Sequence, residues 1–266
     1  MFLQLLIGFL LSITIALAAW RAHALNRSGA WAAALSGGLI FGLGGWRWAV
    51  LLLTFFISSS LLSRLFARRK AAMNEKFAKG SQRDWGQVMA NGGLGALLVV
   101  VHAWQPELAW PWLAYAGAMA AVNADTWATE LGVLSKTAPR LITNGKVVER
   151  GTSGAVSLTG SLAALGGAGL IALATWLVGD GALEISLAAM IGVALAGLLG
   201  SFFDSFLGAT VQAIYYCPTC QKETERTPQH TCGTPTTPLR GWRWLDNDWV
   251  NFACSLAGAG MILLFI

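Results

Sequence analysis

Asn123-Ala124-Asp125-Thr126-Trp127-Ala128-Thr129-Glu130 sets two carboxylates at the end of a long apolar run, where charge is costly and is retained for function. On one regular helix Asp125 and Glu130 project about 140° apart, so one cation meets both only if the helix unwinds or a second helix contributes. Asn123 opens this cluster, and its polar neighbours weigh against a plain helix end with a snorkelling Glu. A third carboxylate, Asp204 in Gly200-Ser201-Phe202-Phe203-Asp204-Ser205, lies well inside another apolar run with no basic residue near it in sequence. Either a distant Lys or Arg pairs with it or it helps hold a cation, and the cation is the expectation. Asp246-Asn247-Asp248, with Asn251, opens the last apolar run, where Asp serves equally as a helix N-cap or as a ligand.

Basic residues accompany the acids. Lys70, Lys79 and Arg83 precede Gln87 and Asn91-Gly92-Gly93, while Arg140, Lys146 and Arg150 precede Gly151-Thr152-Ser153-Gly154 and Ser157. Glycines ahead of a helix start expose backbone N–H groups at a positive dipole end, which suits phosphate, and nearby cations add charge-assisted bonds. Cytoplasmic accumulation of Lys and Arg accounts for many of these side chains without any ligand. No Gly-x4-Gly-Lys phosphate loop is present. The three histidines, His23, His102 and His230, offer no Ser-His-Asp arrangement, so an enzyme here works without histidine as its base.

Cys217, Cys220, His230 and Cys232 form a separate unit. In a reducing compartment a Cys-x2-Cys start with two further soft ligands reads as structural zinc, against free thiols or redox work. Cys254 lies in an apolar run and is expected to pack.

These groups need a scaffold, and the composition supplies it. Of 266 residues, 55% are hydrophobic and 12% charged, against roughly 25% charged in a soluble domain. A soluble enzyme is excluded, and the net charge of +5 reads as membrane topology with no nucleic-acid partner. Eight apolar runs, near 2–20, 30–45, 48–63, 86–103, 110–129, 153–178, 185–214 and 248–266, approach the ~20 residues that cross a bilayer as helix. The expectation is an all-α polytopic bundle forming one domain over 1–266, with a loop at 215–245 carrying the Cys/His unit. Every proline but Pro111, at the start of its run, falls outside the runs, and Trp20, Trp31, Trp46, Trp48, Trp85, Trp104, Trp110, Trp112 and Trp249 cluster at their ends as an interfacial belt. Of the 18 Lys and Arg residues, Arg47 alone falls in one set of alternate loops, which puts the rest in the cytoplasm and both termini outside. The active face is then the cytoplasmic side of the cell's inner (plasma) membrane. The first run lacks the preceding positive charge of a signal peptide and is kept as a helix. Ser28-Gly29-Ala30 and Ser153-Gly154-Ala155, each opening a run, hint at a 4+4 parallel repeat.

Taken together, Asn123 to Gly132, Pro139-Arg140-Leu141-Ile142-Thr143, Gly151 to Ser157, Gly200 to Ser205 and Leu245-Asp246-Asn247 resemble the integral-membrane phytyl-phosphate kinase family of vitamin E biosynthesis. Many members of that family were long catalogued only as a domain of unknown function. The resemblance runs from about Asn26 to Asn251. It implies transfer of the terminal phosphoryl group of a nucleoside triphosphate, CTP above all, to an isoprenoid monophosphate, giving the diphosphate. This chain has Gly154-Ala155-Val156-Ser157 where the family tends to Gly-Gly-Val-Ser, and Asp248 where relatives often have Asn. The Cys/His unit is not general in the family, which argues against catalytic zinc.

The reaction suits the residue inventory. A phosphate monoester, with its second pKa near ~6, is a nucleophile at neutral pH without a general base. Magnesium on Asp125, Glu130 and Asp204, with Asn123 beside them, would bridge the phosphates. Lys70, Lys79, Arg83, Asn91, Arg140, Lys146, Gly151, Thr152, Ser153, Gly154, Ser157, Ser205, Asp246 and Asn247 are the expected phosphate and nucleotide contacts. An ion-coupled transporter and a CTP-dependent lipid-phosphate cytidylyltransferase are the rival readings. The sequence leaves a homodimer open.

Overall fold

The computed structural model describes residues 2–67, 75–80, 82–180 and 183–265. Among them seven helices carry the fold: α1 Phe2–Arg21, α2 Arg27–Leu65, α3 Trp85–Trp104, α4 Trp110–Gly132, α5 Leu158–Val178, α6 Leu187–Thr210 and α7 Asn247–Leu264. Two short strands, β1 Arg140–Leu141 and β2 Ala155–Val156, pair antiparallel. Three more, β3 Ile214–Cys217, β4 Lys222–Thr224 and β5 Thr237–Arg240, form an antiparallel sheet in the order β4-β3-β5.

Local sequence sets most helix starts. Asn26, Asp84, Ser157, Ser186 and Asp246 each accept a backbone N–H of the first turn of α2, α3, α5, α6 and α7. Asp84 and Gln87 complete a reciprocal capping box. Pro111 takes the first turn of α4, where its missing N–H costs nothing.

The runs expected at 30–45 and 48–63 are two arms of α2, which folds back at Gly45. Gly45 adopts φ +74°, ψ −168°, a conformation that suits a residue without Cβ. A Cβ on Gly37 would lie 3.8 Å from Leu52 Cδ2, whereas a straight helix would separate them by about 22 Å. The Arg64 guanidinium donates to Ala22 O, and Leu25 bridges to Arg83 ahead of α3. Both ends of α2, the end of α1 and the start of α3 therefore meet at one end of the bundle.

Among the described residues five helices, α1, α2, α3, α5 and α6, are long and apolar enough to cross a membrane. On α6 the side chains of Leu187, Ile191, Leu195, Leu199 and Phe203 form an exposed apolar stripe, every fourth residue, as a lipid-facing helix requires. The less apolar α4 is the hub, packed against α2, α3, α5, α6 and α7. Ala114, Ala116, Gly117, Ala118, Ala120, Ala121 and Ala124 are all buried along it. A helix enclosed by protein gains more from small residues, which admit close neighbours, than from bulky lipid-facing ones.

That closeness fixes the depth of the site. Cβ atoms on Gly197 and Gly200 would lie 2.7 Å and 2.5 Å from the Cβ atoms of Ala120 and Ala121, so α6 runs parallel to α4 in near contact. One turn further along each helix stand Asp125 and Asp204. A Cβ on Gly117 would lie 2.4 Å from Gly258 O, and the same closeness brings in α7.

Three expectations change. Trp48 and Trp112 are fully buried, stacked or tilted against Tyr115 and each other, so they belong to the core and not to an interfacial belt. Ser28-Gly29-Ala30 lies in the first turn of α2, whereas Gly154, at φ +80°, precedes β2; the two triplets hold different conformations and mark no repeat. The run at 153–178 becomes helical only from Leu158, because residues before it form the turn and β2.

The Gly200 contact leaves no room for a side chain. Gly200→Ala should lower stability by about 1–3 kcal/mol through overpacking and lower the thermal midpoint in detergent. Gly169→Ala, where nothing lies within 4 Å of the added Cβ, serves as the control and should hold or raise the midpoint.

Candidate functional site

At the end of the bundle where α1 stops and α3, α5 and α7 start, a cavity of about 380 Å³ opens. That is within the ~300–1,000 Å³ usual for small-molecule sites. Asp125, Glu130, Asp204, Asp246 and Asp248 line it from α4, α6 and the start of α7. Glu225 joins them from the segment after β4. Among the described residues the lining cations are Lys79, Arg83 and Arg150, so carboxylates outnumber them.

Asp204 stands on α6. Its Oδ2 is buried and accepts no hydrogen bond among the described residues, and the charge of Asp125 acts on it directly. Glu130 is 5% exposed and accepts the Ser63 hydroxyl proton at 2.8 Å. The first helical turn of α7 is capped by Asp246 Oδ1, which accepts from the N–H groups of Asp248 and Trp249 at 3.0 and 3.2 Å. Asp246 is thus an N-cap that also faces the cavity, as does Asn247.

The cations are held in place. Lys79 Nζ donates to Asp248 Oδ2 and lies 2.8 Å from Asp84 Oδ2. Burial works against the Lys79 charge, but its hydrogen bonds to Asp248 and Asp84 more than offset it and raise its pKa above the ordinary lysine value. Arg83 donates to Ser59 Oγ at 2.8 Å and stacks over Phe55 and Phe56 at 5.3 and 5.6 Å. Burial brings its pKa down to about 10, with the Glu130 charge opposing, so it stays protonated at neutral pH. Arg150 Nη2 donates to Ser135 O at 2.5 Å.

Gly151, Thr152, Ser153, Gly154 and Ser157 line the opposite wall. Gly151 and Gly154 take φ +78° and +80°, which folds the backbone into a tight turn ahead of β2. A Cβ on Gly154 would lie 2.3 Å from the Ala209 nitrogen, so only glycine allows this turn to rest on the end of α6. Ser157 Oγ accepts from Gly160 N at 3.1 Å as the N-cap of α5, so the turn does not itself start the helix.

Several expected residues stand elsewhere. Asn123 is fully buried and outside the cavity lining; its amide accepts from Ser58 Oγ at 3.1 Å and donates to Gly167 O at 2.8 Å, tying α4 to α2 and α5. Arg140 turns into its own hairpin, donating to Gly145 O at 2.8 Å, and Lys146 is exposed on the same loop. Neither lines the cavity, because the β1–β2 pairing directs this loop away. Asn91 and Ser205 do line it, with Asn91 Nδ2 also bonded to Gln87 O at 2.9 Å. Lys70 lies outside the described residues.

Gln87 and Asn251 line the cavity as well, and it holds two residues that local sequence did not mark, Glu225 and Gln212. Glu225 Oε1 accepts from Ser153 Oγ at 2.8 Å and from Gln212 Nε2 at 3.0 Å. Arg150 had a signal, its place next to Gly151, whereas Glu225 is returned to the site only by the turn between β3 and β4.

Outside the cavity, Cys217, Cys220, His230 and Cys232 converge, their ligand atoms all within 4.8 Å of one another. Cys217 Sγ lies 3.6 Å from Cys232 Sγ, and His230 Nδ1 lies 3.4 Å from Cys232 Sγ. Cys254 is buried in α7, as expected of a packing residue.

No solved structure matches this chain. Its sequence is 34% identical to Protein PGR of Arabidopsis thaliana over 95% of this chain and 93% of that protein. An uncharacterised membrane protein of Methanocaldococcus jannaschii is 33% identical, over 78% of this chain and 83% of that protein. Another, from Synechocystis, is 29% identical over 85% and 77%. The family described as integral membrane protein DUF92 matches residues 10–259. This chain, with its multiple apolar helices around a cavity of carboxylates and cations, belongs to that integral membrane family.

Proposed function

We propose that this chain is a phosphotransferase that moves the terminal phosphoryl group of a nucleoside triphosphate onto an isoprenoid monophosphate. CTP as donor and a phytyl or related prenyl phosphate as acceptor follow from the family resemblance. In this reading the two arms of α2 cross separately, giving eight passages with both termini outside the cell. The site then faces the cytoplasmic side of the inner membrane.

The observation that carries the reading is the makeup of one cavity wall against the other. Asp125, Asp204 and Glu130 face a region flanked by Lys79, Arg83, Arg150 and the Gly151–Gly154 turn. Adding phosphate to a cavity where carboxylates outnumber cations is unfavourable unless a divalent cation enters with it. The buried, unbonded Oδ2 of Asp204 beside Asp125 suits such a cation. A magnesium ion held by Asp204 and Asp125, with Glu130 close by, would neutralise charge on the phosphate oxygens.

No histidine lines the cavity among the described residues, and the reaction needs none. An oxygen of the monoester dianion attacks the γ-phosphorus. The bond from that phosphorus to the β–γ bridging oxygen breaks, and the nucleoside diphosphate leaves with the electron pair. Lys79, Arg83 and Arg150 hold the oxygens on which charge accumulates. The long hydrocarbon tail of the acceptor accounts for an enzyme embedded in a bilayer.

Purified protein given labelled CTP, magnesium and geranylgeranyl or phytyl monophosphate should yield CDP and the prenyl diphosphate. Release of pyrophosphate would reassign the chain to the cytidylyltransferases, and no turnover with any of the common nucleoside triphosphates would remove the phosphotransfer reading. Asp125→Asn and Asp204→Asn should each lower kcat by about 100-fold or more while preserving the thermal midpoint. Wild-type rates in either would discard the metal role. Lys79→Met should weaken catalysis by a comparable factor of about 100, because it removes a cation facing the phosphates.

A further inference from the structure

The Cys/His unit lies outside the cavity, and phosphotransfer makes no use of it. Its geometry is that of two facing turns. Cys217 ends β3, and the chain turns through Cys220 and Gln221, at φ +53°, so that Lys222 pairs back with Cys217. His230 and Cys232 sit on the second turn, closed by Gly233 N bonding to His230 O at 2.9 Å. Two thiolates on a tetrahedral zinc with Zn–S near 2.3 Å stand about 3.8 Å apart. The observed 3.6 Å between Cys217 and Cys232 is close to that spacing and far longer than the ~2.05 Å of a disulfide. Three thiols and one imidazole are a donor set that zinc accepts.

The same unit grips the segment at 75–80. Lys222 Nζ pairs with Glu75, and Thr224 Oγ1 donates to Glu75 O at 2.8 Å. Glu225 N donates to Lys76 O at 2.8 Å, and Ala78 N donates to Glu225 Oε2 at 3.3 Å. The next residue along is Lys79, which lines the cavity. The other oxygen of Glu225 holds Ser153 of the glycine turn. One strand end therefore touches two walls of the cavity, and β4 keeps its place only if the turn beside it does.

We propose that Cys217, Cys220, His230 and Cys232 bind one zinc ion. Through β4 that ion docks the 75–80 segment and so positions Lys79. The zinc has no part in the chemical step. Binding and docking stand independently of the phosphotransfer reading; only an effect on turnover rests on it.

Protein purified in detergent with a reductant should contain one zinc per chain by elemental analysis. Absence of metal, or iron in its place, overturns the site. Chelation should leave the helical circular dichroism intact but raise amide hydrogen exchange at least tenfold in peptides covering 75–80 and 222–226. Unchanged exchange overturns the docking role. Cys220→Ser should lose zinc and reproduce the chelated pattern. Because that variant could misfold, Lys222→Ala and Thr224→Val provide the second arm. Both should keep one zinc per chain yet lose protection at 75–80, and retention of full protection overturns the proposed route. Expected zinc and exchange results without any phosphoryl transfer would sink the phosphotransfer reading alone.

Discussion

A carboxylate at the end of a membrane helix has little water to stabilise its charge, so its depth and its neighbours must be set by the helices around it. Here the spacing of α4, α6 and α7 does this. Gly197 and Gly200 rest on Ala120 and Ala121, and Gly117 meets Gly258 backbone to backbone. With helix axes this close, Asp125 and Asp204 sit level, one turn beyond the contact. Bulkier residues would still make an apolar bundle, but the two acids would no longer share a cavity.

The rest of the site compensates for gathering so much negative charge. Lys79 bridges Asp84, the cap of α3, to Asp248 in the first turn of α7, so one cation ties two helix starts together. Arg83 is bound on both sides: its backbone pairs with Ala24 and Asn26, and its guanidinium reaches Ser59. These bonds stiffen the cations as well as place them. Cationic side chains on free loops, such as Lys146, lack this support and lie outside.

The β unit after α6 supplies what helices cannot. A helix end delivers side chains from one direction, whereas Glu225 approaches from the side and contacts both the glycine turn and the 75–80 segment. It is also the part in which the chain carries features that its family resemblance does not require. The wall built by the helices and the closing wall built by the sheet thus have separate physical origins, one in small-residue packing and the other in strand pairing.

Sequence by itself determined what short-range physics dictates. Apolar runs of bilayer length, an Asp cap at the start of the last of them and costly acids inside apolar segments each carry their meaning within a few residues. The convergence of the Cys/His ligands was legible for the same reason, since Cys-x2-Cys already implies a turn. Only the tertiary structure decided the remainder. Burial of Trp48 and Trp112 depends on Tyr115 and on the helices that enclose them, so their position at span ends misled. Asn123, expected at the site, became a tie inside the bundle, and Glu225, which no local pattern marked, became a wall of the cavity. In each case the deciding contact joins residues far apart along the chain, and no local pattern encodes which partner a side chain will meet.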